Sequence, residues 1–258
     1  MPSILTLTIG EFELVHDLLS LLIAAMGAAA LFFLLSRKQV TERFQPLLLI
    51  AGIIAAIGCY HALRLFDSWN NAFELAGNSY AASGHFFHEL YRYSDWVLTM
   101  PLLLVELVLI LGLSQEKAAS LLKRLIAAAL ASIFFTYLGA SNLAEHGALI
   151  SWTYWVLGLL PFLYMARILL RELSCEAQTQ EPLGEKYFLK ARNLFLLSWF
   201  FYPIAAFVAL CSHGFGEVGL VTFLVGASIA DLISKCGVSF CIYCSALASR
   251  ERRISSAL

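Results

Sequence analysis

Seven apolar runs, at roughly 10–36, 46–66, 88–113, 119–139, 150–170, 188–212 and 217–248, dominate the 258-residue chain. Each is at or above the ~20 residues that an α-helix needs to cross a bilayer. In hydrocarbon every backbone N–H and C=O must find an internal partner, so runs of this length are expected to fold as helices. A mean hydropathy of +0.78 with only 14% charged residues fits no water-soluble domain of this size. The chain reads as an all-α membrane protein, with residues 1–258 forming one seven-transmembrane-helix bundle. The first run has no basic stretch before it, so it reads as the first helix and not as a cleaved signal peptide.

Orientation follows from the basic residues, because cytoplasmic loops hold an excess of Lys and Arg. Arg37, Lys38 and Arg43 fall between the first and second helices, and Lys117, Lys123 and Arg124 between the third and fourth. Arg167, Arg171, Lys186, Lys190 and Arg192 surround the fifth connection, and Arg250, Arg252 and Arg253 end the chain. The alternate loops, 67–87, 140–149 and 213–218, hold no Lys or Arg but carry Asp67, Glu74, Glu145 and Glu217. The N-terminus is therefore expected outside and the C-terminus in the cytoplasm. A net charge of −1 argues against a nucleic-acid partner; the basic inner face suits anionic lipid. The six cysteines read as small buried hydrophobes, and the lone Cys241–Cys244 pair lacks the second pair that a metal site needs.

Arg64, Arg92 and Lys235 remain for the membrane region or its outer edge. Lys235 lies in the middle of the seventh helix, too deep for its ammonium to reach an interface, and Asp231 stands one turn earlier on the same face. Such a pair can simply fix helix packing. A desolvated lysine is also what a photoreceptor or enzyme uses to form a Schiff base with an aldehyde. The third helix weighs on this choice, because Arg92, Asp95, Thr99 and Glu106 share one helical face. Asp231 and Asp95 are expected on the outer side of Lys235 and Glu106 ~16 Å further inward than Asp95. A cation with acids on both sides is the layout of a proton relay.

In RYSDWVLTMPLLLVE, DLISK at 231–235 and WFFYP at 199–203, the sequence resembles the microbial rhodopsins, and its triad Asp95, Thr99 and Glu106 is similar to that of bacterial proton pumps of the proteorhodopsin and xanthorhodopsin type. The resemblance covers nearly the whole chain. It implies a light-driven outward proton pump, an ion transporter and not an enzyme, in the bacterial inner membrane. All-trans retinal would be bound covalently at Lys235 as a protonated Schiff base. Asp95 would be the counterion and proton acceptor, with Asp231 as its companion. Glu106, kept in its proton-carrying form by apolar surroundings, would be the inner donor. Thr99 would hydrogen-bond Asp95, His61 in CYHAL would do so from the second helix, and Arg92 would assist release outward. Trp96, Leu103, Trp155, Trp199, Tyr202 and Pro203 would line the retinal pocket.

The same resemblance implies a pentamer or hexamer. It also implies green absorption, because leucine at the place of Leu103 goes with green. No carotenoid antenna is expected at Trp155, whose indole stands where antenna-binding relatives have glycine. Ala62 replaces a tyrosine expected to bond the seventh-helix aspartate, so Asp231 is expected to lean on Tyr202 or water. Ala206 replaces a large aromatic and leaves room near the retinal ring. His85, His88 and Glu89 in GHFFHEL read as a solvated helix start and not as a metal site. The competing function is a sensory photoreceptor, which would need the same retinal site but no inner donor.

Overall fold

A computed structural model describes residues 6–142, 147–178, 182–211 and 217–255. Its helices are α1 (Ile9–Leu35), α2 (Gln45–Ala72), α3 (Tyr91–Leu109), α4 (Gln115–Asn142), α5 (Gly147–Ala177), α6 (Pro182–Cys211), α7 (Glu217–Leu232) and α8 (Val238–Ser255). A single π-helical turn, Ile233–Gly237, joins α7 and α8 into one seventh rod. Consecutive rods pack on one another and α7 returns to pack on α1, which closes a ring of seven.

Six rods are long and apolar enough to cross a membrane. The rod that falls short is α3, 19 residues long and interrupted by Arg92, Asp95 and Glu106. Those three charges lie with Trp96, Thr99, Met100 and Leu103 among its buried residues. A 3.6-residue period puts this set on one face, so the polar stripe of α3 turns away from lipid and into the bundle. The inward-facing charges account for the three charges in a segment that otherwise reads as membrane, and they require partners from other rods.

The end of the bundle bearing the N-terminus departs from expectation. The expected loop 67–87 is partly ordered: α2 continues to Ala72, and β2 (Phe73–Ala76) and β3 (Ser79–Ala82) form an antiparallel hairpin around Gly77, whose φ is 67°. A two-residue turn needs such a positive φ, which glycine adopts at no steric cost. The segment β1 (Thr6–Thr8) adds to the other edge of β3, giving a three-stranded sheet ordered β1-β3-β2. Phe12 stacks on Tyr80 at 3.7 Å, and Trp69 donates to the Phe12 carbonyl at 3.2 Å. Thr8 ends β1 and also caps α1, in a reciprocal capping box with Glu11. Sequence hydropathy misses this cap because its strands are short and half exposed.

At the opposite end, Arg124 grips Glu172 through both terminal nitrogens, at 3.0 and 2.6 Å, and Lys117 pairs with Glu176, tying α4 to α5. The cysteines do not all behave as buried hydrophobes. Cys175 and Cys211 are exposed near rod ends, and the other four are partly buried. Glu145 lies outside the described residues.

The turn between α3 and α4 contains Gly112 at φ 60°, and a Cβ there would lie 1.3 Å from Arg43 Nη2. Gly112→Ala therefore combines backbone strain of about 1–2 kcal/mol with a clash against Arg43. The expected result is a thermal midpoint several degrees lower in detergent, with the double variant Gly112→Ala/Arg43→Ala recovering only part of the loss. An unchanged midpoint would contradict this account of the turn.

Candidate functional site

The charges of α3 meet their partners at the π turn. A π turn widens the rod by one residue, shown here by the Val238 N–H reaching the Ile233 carbonyl. Lys235 sits in this turn and is only 1% exposed. Its Nζ donates to the Asp95 carboxylate and, at 3.1 Å, to Asp231 Oδ1. Arg92 Nη1 donates to Asp231 Oδ2 at 2.8 Å and its Nη2 to Ser228 Oγ at 3.2 Å. Two buried cations thus face two buried carboxylates, so the cluster is electrically balanced, a condition for keeping ions out of water.

The two carboxylates are not equivalent. Asp231 Oδ1 also accepts from Trp96 Nε1 at 3.2 Å and from Tyr202 Oη at 3.0 Å. With Arg92 on Oδ2, Asp231 takes donors from four side chains. Tyr202 thus supplies the support that Ala62 cannot. Asp95 has Lys235 on one oxygen, while its Oδ1 is buried with no hydrogen-bond partner among the described residues. An open buried lone pair is what an arriving proton needs.

Of the two further partners expected for Asp95, Thr99 bonds its backbone and His61 does not bond it. Thr99 Oγ1 donates to the backbone carbonyl of Asp95 at 2.9 Å and not to its carboxylate, the usual i−4 bond of a threonine inside a helix. No hydrogen bond joins His61 to Asp95: the Asp95 carboxylate is turned across the bundle to Lys235, and His61 Nδ1 is buried without a partner among the described residues. The two side chains share a small cavity with Gly58 and Lys235.

Glu106 lies fully buried at the other end of the polar face of α3. Its Oε2 accepts from Ser239 Oγ at 2.8 Å, and its Oε1 has no partner among the described residues. Ser239 was not singled out from the sequence, yet Ser228, Asp231, Lys235 and Ser239 follow one another at spacings of three or four. That spacing was legible as a single polar face on the seventh rod.

Beside Lys235 stands an aromatic wall. Trp96 lies 4.3 Å from Tyr202 and 5.8 Å from Trp199 by ring centroids, and Trp199 lies 5.4 Å from Tyr202. Trp155 joins from α5, its Nε1 donating to the Pro203 carbonyl at 3.0 Å. These residues, with Met100 and Ala206, line a cavity of about 40 Å³. A second cavity of about 160 Å³ adjoins it, sharing Trp96, Trp155, Tyr202 and Ala206. The small side chain of Ala206 leaves space in both. Leu103 is buried in the core but lines neither cavity.

The residues fit a retinal linked through its aldehyde. A buried amine adjoins balancing carboxylates, and Trp96 and Tyr202 reach both Asp231 and the aromatic cavity. Gly58 leaves room for the lysine stem, since a Cβ there would lie 3.1 Å from Lys235 Cδ.

Known proteins share this chain's sequence pattern and its fold. The sequence model of the family described as bacteriorhodopsin-like protein matches residues 14–248. The green-light absorbing proteorhodopsin of Gamma-proteobacterium EBAC31A08 is 27% identical over 216 residues, covering 83% of this chain and 79% of its own. Among solved structures, a thermophilic rhodopsin superposes with a TM-score of 0.91 at 33% identity, covering 97% of this chain and 99% of its own. Xanthorhodopsin, described as a light-driven ion pump with dual chromophore, superposes with a TM-score of 0.89, also at 33% identity and with the same coverage.

The asymmetry of the carboxylates has a measurable consequence. Removing one member of a buried ion cluster costs about 3–5 kcal/mol when it strands its partners. Asp231→Asn strands Arg92 and disturbs four donors, whereas Asp95→Asn disturbs one. The thermal midpoint is expected to fall clearly further for Asp231→Asn. Equal losses would contradict the asymmetry.

Proposed function

Since the chain belongs to the family of bacteriorhodopsin-like proteins, we propose that it is a light-driven outward proton pump of the bacterial inner membrane, with all-trans retinal bound covalently at Lys235. The observation that carries this reading is the position of Lys235, buried between Asp95 and Asp231 on one side and the Glu106–Ser239 pair on the other. The Lys and Arg distribution supports an N-terminus outside, which makes the Asp95 side outer and the Glu106 side inner.

Linked there as a Schiff base, the retinal would supply light absorption and a change of direction at the lysine nitrogen. Trp96, Trp155, Trp199, Tyr202 and Pro203 would hold the chain of the ligand in line. Asp95 receives the proton from that nitrogen, because its Oδ1 is open while the oxygens of Asp231 are engaged. Arg92 and the remaining donors keep Asp231 as the fixed anion of the cluster. Glu106 holds the replacement proton in apolar surroundings, and Ser239, one turn beyond Lys235 on the same rod, orients its carboxyl along the path. Once Glu106 has given up its proton, the Ser239 hydroxyl is a donor already in place for the carboxylate.

An acid on the inner side favours a pump over a sensory photoreceptor, which has no need of it. A weakly buffered suspension of cells expressing the protein with added retinal is expected to acidify under light, and a protonophore is expected to abolish the change. Alkalinisation would reverse the direction, and a coloured protein without any pH change would favour the sensor. Within the cycle, Asp95→Asn is expected to shift the colour to the red and stop transport. Glu106→Gln is expected to keep the colour and slow recovery of the dark state by about 10²-fold or more, as for loss of a positioned acid. Recovery at the wild-type rate would contradict the role of Glu106.

A further inference from the structure

One acid close to this pathway has no part in the mechanism above. Glu89 stands two residues before α3, and the Arg92 N–H bonds its backbone carbonyl at 3.0 Å, so it lies one turn from Arg92 on the side away from Asp95. It does not behave as a solvated helix start. Glu89 is partly buried and lines the cavity of about 160 Å³ with Tyr93, Trp96, Ser151 and Tyr202. The groups facing it are Arg92 and Tyr93 from α3, Tyr202 from α6 and Ser151 from α5, with Tyr137 of α4 behind Tyr93.

The mainly apolar lining of the cavity includes a few polar groups. Ser151 is only 2% exposed, yet its Oγ lines the cavity with no hydrogen-bond partner among the described residues. Such a group requires a partner, and the volume has room for on the order of five waters. The cavity touches Trp96 and Tyr202, both of which donate to Asp231, so it runs from the edge of the charge cluster to Glu89. Carboxyls therefore succeed one another along a single stretch of chain: Glu89, then Asp95, then Glu106.

We propose that Glu89 is the outer proton station, a carboxylate that takes up the proton leaving Asp95 through water in this cavity and releases it at the outer surface. This rests on the pump reading. The step is a plain proton transfer: Asp95 regains its negative charge as Glu89 becomes neutral, and Glu89 regains its own as the proton passes to external water.

The test is flash photolysis of the wild-type pigment with a pH-indicator dye in the medium. The wild type is expected to acidify the medium before the dark state recovers. Glu89→Gln is expected to keep the colour and the deprotonation of the Lys235 nitrogen but to delay acidification at least tenfold, whereas Glu89→Asp restores early release. Should Glu89→Gln give no pigment, Ala209→Leu, which fills the cavity from α6 and leaves the carboxyl in place, is expected to show the same delay. Early release in Glu89→Gln, or in Ala209→Leu where that variant serves, would overturn the proposal, as would a wild type that releases only on recovery. A wild type that forms no pigment or moves no proton would instead overturn the pump reading itself.

Discussion

Placing an ammonium in the middle of a membrane-spanning bundle is the constraint on which the rest of this structure depends. A lone cation there would be driven out or neutralised, so Lys235 can persist only with carboxylates brought to it by another rod. That requirement explains why α3 is less apolar than its neighbours, why its charges all lie on one face, and why Arg92 is also inside. Arg92 balances the second carboxylate, since two aspartates facing one lysine would leave an uncompensated negative charge. The aromatic side chains do double duty, because Trp96 and Tyr202 fill the bundle and spend their polar atoms on Asp231.

The proposed direction of transport rests on an inequality within that balance. Asp231 is engaged on both oxygens and Asp95 on one, so the two acids that look alike in the sequence differ in capacity for a proton. Glu106 differs again. Among the described residues it has beside it the Ser239 hydroxyl and an apolar core and no cation, which suits a group that carries its proton until a vacancy opens. A symmetric arrangement of the same residues would bind a chromophore without distinguishing one face of the membrane from the other.

Much of this was legible in the sequence, for physical reasons. Bilayer thickness fixes helix length, and the helical period places residues 92, 95, 99 and 106 on one face and 231 and 235 on another. What the sequence left open is where each polar atom points. Thr99 shares the face of Asp95, yet its hydroxyl satisfies a backbone carbonyl, because the i−4 bond is always within reach. His61 shares a cavity with Asp95 without bonding it, since the carboxylate is drawn to Lys235. Glu89 read as a solvated helix start because it lies at the outer mouth of the third helix beside a polar loop, and only the packing of α3, α5 and α6 shows a cavity beside it. The three-stranded cap at the N-terminal end escaped notice because short, half-exposed strands leave little periodic signal.

The central claim is that the charge cluster exists to hold a linkage at the Lys235 nitrogen. Its most direct test is to load the purified protein with all-trans retinal, trap the linkage with borohydride, and map the retinyl adduct by peptide mass spectrometry. The account predicts an adduct on the peptide containing Lys235 and on no other lysine, lost together with the colour in Lys235→Ala. A stable pigment whose adduct maps to any other lysine would contradict it.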